Sequence, residues 1–124
     1  MARKLARSTL ERFRRRLEEE SRRLATMIEE IEAQREAVRL TETSSERSPD
    51  PNTAEGGSLA FEMEKELSLA RNASDLLAQV EEALERIREG AYGICEGCGK
   101  PIPVARLDAV PHTKLCVNCA ANHR

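Results

Sequence analysis

The chain has 124 residues, which corresponds to one small domain or to a small domain with an extension. Charged residues make up 34% and aromatic residues only 2%, a composition that argues against a large aromatic core and favours long helices. The formal net charge of −2 argues against a protein that coats nucleic acid, and no apolar run approaches the ~18 residues that a membrane span needs. We therefore expect a soluble, cytoplasmic protein with no membrane partner.

The charge is uneven along the chain. Residues 1–16 contain seven Lys and Arg and a single Glu, whereas acidic residues dominate from 42 to 66. A basic run of this kind is either a solvated helix face or a contact for an acidic partner surface or nucleic acid.

A heptad of apolar residues predicts a long first helix, from about Lys4 to Leu40. Ser8 or Thr9 can cap its start. A narrow apolar seam on an otherwise polar helix is typical of packing against one partner helix. The a positions of the seam are Leu10, Leu17, Leu24, Ile31 and Val38, and two of its d positions are Phe13 and Met27.

Residues 41–57 form a segment, here called the tip segment, in which the heptad stops. The segment contains two prolines, two glycines and a cluster of Ser and Thr. Because these residues disfavour a continuous helix, we interpret the segment either as a flexible linker or as a functional tip between two helices.

Apolar residues then return at alternating spacings of three and four, which predicts a second helix from Ser58 to about Arg88. Ser58 is a suitable N-cap, and Gly90 is a suitable residue to end the helix. Two helices of similar length with a breaking segment between them predict a mainly α fold, with a long antiparallel coiled-coil hairpin over residues 1–89. A parallel homodimeric coiled coil is the alternative.

Two CxxC pairs, separated by seventeen residues, are typical of a zinc site. Each pair offers two sulfurs on one side of a tight loop, and two such loops supply the four thiolates of a closed, tetrahedral structural site. We therefore expect one structural zinc ion in a zinc-finger module over residues 90–124, which ends in a short helix. The predicted metal ligands are Cys95, Cys98, Cys116 and Cys119.

Other uses of these cysteines are less consistent with the sequence. Two disulfides have three possible connectivities, but no secretory signal is visible, so a reducing compartment is the default. A redox CxxC would need a βαβ context that is missing from the sequence. Gly97 and Gly99 give the first pair backbone freedom, and neither His112 nor His123 is expected to bind the metal.

The segments around the cysteines resemble the DksA/TraR family of zinc-finger proteins. Within the run 90–102, residues 92–102 match the family pattern YGxCxxCGxxI. Residues 106–111 match RLxAxP, and residues 116–119 supply the second CxxC. Residues 61–67, FEMEKEL, resemble the segment that opens the second coiled-coil helix in short Gram-positive members. The likeness covers about residues 50–120.

This resemblance implies a transcription regulator that binds bacterial RNA polymerase. Members of the family insert the tip of their coiled coil through the secondary channel toward the catalytic Mg²⁺ and alter the lifetime of open promoter complexes. The family's tip motif, DxxDxA, falls on Asn52 and Glu55, of which only Glu55 is acidic, with Asp50 close by. These three residues are the candidate polymerase contacts.

The resemblance also bears on a nucleotide effector. The basic positions of the family's ppGpp pocket fall on Asn72 and Gln79, neither of which is basic. We therefore do not expect ppGpp dependence.

Two functions of other classes remain as alternatives. A nucleic-acid-binding zinc ribbon would need denser basic grooves and more stacking aromatics than a module whose one aromatic residue is Tyr92. A coiled-coil scaffold would dimerise through its helices, whereas we expect the hairpin to be a monomer without direct sequence-specific DNA binding. No nucleophile–base pair, phosphate loop or open metal site indicates an enzyme.

Overall fold

A computed structural model describes residues 5–44 and 54–122 and confirms the mainly α fold. The chain divides into two compact units: unit 1 comprises residues 1–22 and 77–124, and unit 2 comprises residues 23–76. Within the described ranges, no helix combines the length and the apolarity that crossing a membrane requires. The helices are α1 (Arg7–Ser44), α2 (Ala54–Glu89), α3 (Val104–Ala109) and α4 (Val117–Asn122).

The helix ends next to the tip segment differ from the prediction. Helix α1 continues beyond Leu40, and α2 begins before Ser58, so Ser58 lies inside the helix and is not its N-cap. Gly56 and Gly57 lie within α2. Each glycine in a helix interior costs only about 1 kcal/mol of stability relative to alanine, which the remaining residues of a 36-residue helix can offset. Residues 45–53, the rest of the tip segment, lie outside the described residues.

In unit 1, the N-terminal part of α1 packs against the C-terminal part of α2. Phe13, Leu17 and Val80 are almost completely buried there, as the apolar seams predict. Leu10, near the start of α1, and Ile87, near the end of α2, line the same small cavity. The two helices therefore run antiparallel in this unit.

Unit 2 has the same antiparallel pairing but less burial. Val38 lines a groove with Met63 and Leu67, so the late part of α1 lies against the early part of α2, as predicted. Among the described residues of this unit, Leu24 and Ala73 are buried, and both lie far along the helices from the tip segment.

Helix α2 ends in a glycine motif that leads the chain into the cysteine-containing module. Gly90 has φ of 77°, and the Ala91 N–H donates to the Arg86 carbonyl over 2.8 Å, which is the bond pattern of a Schellman C-cap. A short antiparallel bridge between Ile94 and Pro101 then closes the loop of the first cysteine pair. The predicted end of the second helix is thus confirmed.

Tyr92 connects the module to the helices of unit 1. Its ring lies 6.0 Å from the Phe13 ring, centroid to centroid, in a tilted arrangement. Its hydroxyl donates to the Pro111 carbonyl over 2.7 Å, and burial raises the pKa of Tyr92 to about 12. The module also contributes Leu107, on α3, to the buried core. Helix α3 was not predicted from the sequence, whereas the short terminal helix, α4, was.

Candidate metal centre

The four cysteines lie together at one site in the module. Their sulfurs are all within 4.8 Å of one another, and those of Cys98 and Cys116 are 3.9 Å apart. Sulfurs bound tetrahedrally to zinc at about 2.3 Å are separated by roughly 3.8 Å, so the donor set fits this ion. All four cysteines are free thiols and form no disulfide.

The first cysteine loop needs glycine for two different reasons. Gly99 has φ of 75°, a left-handed conformation that other residues rarely adopt. Gly97 does not have a positive φ, contrary to the expectation of backbone freedom at both positions. Its role is steric, because a Cβ atom at this position would lie 2.9 Å from the Cys119 sulfur.

Backbone N–H groups in the loops are directed at the sulfurs. The pKa of Cys95 is lowered to about 6, chiefly by the Cys116 N–H, which donates to its sulfur over 3.3 Å. The pKa of Cys116 is lowered by the Cys119 N–H, whereas hydrogen bonds with Cys116 and Cys95 raise the pKa of Cys119 to about 12. Because a metal binds the thiolate and not the thiol, metal binding weakens as the pH falls.

The histidines are not part of this cluster. His112 is half-buried, and its pKa is lowered by burial, an effect that Glu20 opposes. His112 is also absent from the set of residues that lie close enough together to hold one ion. His123 lies outside the described residues.

Two arginines close to the cluster were missed by the sequence analysis. Arg86, on α2, is 7% exposed and donates to the Ile94 carbonyl over 2.6 Å. Arg106, on α3, donates from Nε to the Leu115 carbonyl over 2.9 Å. Both acceptors come directly before a cysteine, but no local pattern in the sequence pairs either arginine with its acceptor.

Of the three candidate tip residues, the structure describes only Glu55. Asp50 and Asn52 lie outside the described residues, and Glu55 is in the first turn of α2. Asn72 and Gln79 are exposed on α2. The tip contacts and the absence of ppGpp dependence therefore remain predictions.

Comparison with known proteins places these features in a family. Residues 90–123 match the family described as prokaryotic dksA/traR C4-type zinc finger. An uncharacterized protein of Aquifex aeolicus is 38% identical over 105 residues, which cover 84% of this chain and 68% of the relative. The RNA polymerase-binding transcription factor DksA of Caulobacter vibrioides is 32% identical over 100 residues, covering 81% of this chain and 69% of the relative.

A solved structure shares the fold as well. The structure of transcription factor DksA2 from Pseudomonas aeruginosa superposes with a TM-score of 0.74 at 28% identity, covering 94% of this chain and 83% of that chain. The C4-type description agrees with the four clustered sulfurs, so the cofactor is one structural zinc ion. The relationship to transcription factors also confirms that the chain is not an enzyme. The chain belongs to the DksA/TraR family.

Proposed function

We propose that this chain is a bacterial transcription regulator that binds RNA polymerase and inserts its tip segment into the secondary channel. The relative from Caulobacter vibrioides is named as an RNA polymerase-binding transcription factor, and the chain covers 69% of it. If the partner is RNA polymerase, the protein acts in the bacterial cytoplasm.

The distribution of exposed apolar side chains in unit 2 is the observation that carries this proposal. Phe61 is 67% exposed and Leu40 is 58% exposed, and Leu69 is about half exposed. Exposed large apolar side chains that contribute little to the fold are typical of surfaces that bind another protein. Unit 2 also has twelve Asp and Glu against six Lys and Arg, a formal charge of −6, which favours a partner surface with basic residues.

Zinc has a structural role in this proposal. We assign all four ligands to the cysteine cluster, in which four sulfurs complete a tetrahedral set and leave no position for a substrate. The module would fix the ends of α1 and α2 in unit 1, while unit 2 makes the contact. The proposed ligands are Cys95, Cys98, Cys116 and Cys119.

Within the tip segment, Asp50, Asn52 and Glu55 are the proposed contacts inside the channel. Two of them are carboxylates, which can interact with a bound cation or with basic side chains of the polymerase. The segment has too many Pro, Gly and Ser residues to build a core of its own. We therefore propose that its charged residues act on a partner and do not stabilise a core.

The first experiment is a pull-down with core RNA polymerase. The parent chain should be retained, and a variant with residues 45–53 replaced by a Gly/Ser loop of equal length should be retained less well. This replacement leaves both helices at their observed lengths. Failure of the parent chain to bind core polymerase at low salt would contradict the proposal.

The second experiment separates binding from regulation. Asp50→Ala combined with Glu55→Ala should leave the free energy of unfolding within about 0.5 kcal/mol, as for ordinary exposed substitutions. The double variant should still bind the polymerase but lose its effect on open-complex lifetime. If it regulates transcription as the parent does, the tip carboxylates are not the working groups.

The other predictions about partners are tested with the isolated protein. Sedimentation should give a monomer. DNA binding should be weak, and a steep dependence of DNA binding on salt would instead favour the nucleic-acid-binding alternative.

A further inference from the structure

Each cysteine pair follows a peptide group whose carbonyl oxygen accepts a hydrogen bond from an arginine. Arg86 donates from Nη2 to the Ile94 carbonyl over 2.6 Å, and Arg106 donates from Nε to the Leu115 carbonyl over 2.9 Å. Ile94 directly precedes the first pair, and Leu115 directly precedes the second. The two arginines come from different helices and make equivalent contacts.

These two peptide groups are held at both ends. A peptide group is planar, so a bond to its carbonyl also sets the direction of its N–H. The Leu115–Cys116 peptide donates its N–H to the Cys95 sulfur over 3.3 Å, and the Ile94–Cys95 peptide donates its N–H to the Lys100 carbonyl over 2.8 Å. A charged donor on the carbonyl also polarises the peptide and strengthens its N–H as a donor.

Arg86 is buried, and each of its acceptors belongs to residues 91–96. Besides the Ile94 bond, its Nη2 donates to the Ala91 carbonyl over 3.2 Å, and its Nε lies 3.6 Å from the Glu96 carboxylate. A buried guanidinium is tolerated only when its donors are satisfied in this way. Because Glu96 lies between the two cysteines of the first pair, Arg86 contacts the loop on both sides of Cys95.

Arg106 holds the second loop with the help of a threonine. Its Nη2 lies 3.4 Å from Thr113 Oγ1, and the Thr113 hydroxyl donates to the Leu115 carbonyl over 2.9 Å. The Leu115 oxygen thus accepts two hydrogen bonds from side chains of the module. Lys114, between these residues, approaches Glu96 to 3.9 Å and so adds a weak ionic link between the two loops.

We propose that Arg86 and Arg106 are positioning residues of the metal centre. They hold the peptide groups before the two cysteine pairs so that the four sulfurs converge on one point. These charge-assisted hydrogen bonds oppose the separation of the two cysteine loops, and zinc is retained longer as a result. The proposal concerns the metal centre and does not depend on the polymerase being the partner.

The test measures zinc release from the full-length, zinc-loaded protein to an excess of the chromogenic chelator 4-(2-pyridylazo)resorcinol. Arg86→Met and Arg106→Met should each accelerate release by about tenfold or more, the usual effect of losing a residue that orients a ligand. Arg86→Lys keeps the charge but has a single donor atom in place of the guanidinium's three nitrogens, so its rate should lie between those of Arg86→Met and the parent.

Arg88→Met is the matched control. Arg88 is on the same helix two residues later, is exposed, and pairs with Glu85 on the helix surface. Its release rate should equal that of the parent. The proposal would be overturned if both Arg86→Met and Arg106→Met released zinc at the rate of the parent. It would also be overturned if Arg88→Met showed the same acceleration.

Two further variants keep the test decisive if a methionine variant unfolds, which circular dichroism would detect. Glu96→Gln and Thr113→Val leave both arginines in place; the first removes the negative charge beside Arg86, and the second removes the hydroxyl beside Arg106. Both variants should release zinc faster than the parent. Their helix content should be unchanged, and their Co²⁺-substituted forms should keep the absorption spectrum of a tetrahedral four-sulfur site. Parental release from both of these variants would contradict the proposal.

Discussion

Unit 1 and unit 2 are built from the same two helices but expose very different surfaces. Of the ten buried hydrophobic residues in the described part of the chain, eight belong to unit 1 and two to unit 2. The exposed large apolar side chains that the structure describes are distributed in the opposite way, with four of six in unit 2. The formal charges also differ in sign, at +4 for unit 1 and −6 for unit 2.

The difference shows what the cysteine-containing module adds to a pair of helices. Two helices alone have little interior, and each residue of the pair faces either one partner helix or water. In unit 1 the module covers a second side of the helices, so that Phe13 contacts Tyr92 as well as the helix pair. Burial is therefore concentrated in unit 1, and most of the exposed large apolar side chains of the described residues lie in unit 2.

The largest expected effect comes from breaking the metal centre of unit 1. Cys98→Ser should reduce bound zinc from one equivalent toward zero, because apparent binding free energies of about 10–16 kcal/mol for structural zinc depend on the full ligand set. Hydrogen exchange should then become faster in residues 90–122 and remain unchanged in residues 54–76. Less than one equivalent of zinc in freshly purified, reduced parent protein would contradict the assignment of the site.

The two phenylalanines sharpen the comparison, since they are the same residue type in opposite environments. Phe13 is 0% exposed and Phe61 is 67% exposed. Phe13→Ala should lower the free energy of unfolding by about 3–5 kcal/mol, as for other buried aromatic truncations, whereas Phe61→Ala should change it by less than about 0.5 kcal/mol. Urea unfolding of both variants measures the two free energies of unfolding. Equal losses of stability in Phe13→Ala and Phe61→Ala would contradict the difference in burial between the two units.

The smallest expected effect is a pH dependence of stability at His112. Burial lowers the pKa of this histidine in the folded chain, so the unfolded chain binds the proton more tightly. The contribution of His112 is complete above the unfolded pKa of about 6.5 and is lost as the pH falls from there through the folded pKa.

The measurement compares the parent with His112→Gln between about pH 5 and 7, around the unfolded histidine pKa. Subtracting the two curves removes the contribution of the cysteines, which both proteins share. The parent should lose more stability than the variant as the pH falls. A parent that gained stability relative to the variant would show that the sign is wrong.

Much of the fold could be predicted because its signals are local. The heptad that contains Leu17 and Leu24 identifies the buried face of α1, and both residues are buried. The spacing within and between the CxxC pairs identifies the zinc site, since each pair carries its chemistry within four residues. The ends of the helices at the tip segment were less predictable, because helix propensity is a weak signal that a long helix overrides.

The residues that sequence reasoning missed act through contacts that are distant in the chain. In the sequence, Arg86 cannot be distinguished from an ordinary polar residue of a helix. In the structure, the turn at Gly90 brings the Ile94 carbonyl within hydrogen-bond distance of its guanidinium. Gly97 was correctly singled out but for the wrong reason, since its neighbour is the sulfur of Cys119, twenty-two residues later. Neither contact has a signature in the local sequence.

The most direct test of the proposed division of roles is a competition measurement with core RNA polymerase. A fluorescently labelled parent chain is bound to the enzyme, and unlabelled parent, Phe61→Ala and Val104→Ala compete for it. Val104 is the matched control, since it is an exposed apolar residue of unit 1.

The concentration of unlabelled Phe61→Ala that displaces half of the labelled parent should be at least about tenfold higher than that of unlabelled parent. The reason is that losing a central apolar contact typically costs more than about 1.4 kcal/mol of binding free energy. Val104→Ala should compete as well as the parent. The account would be contradicted if Phe61→Ala competed as well as the parent and Val104→Ala competed less well. The contact surface would then lie in unit 1.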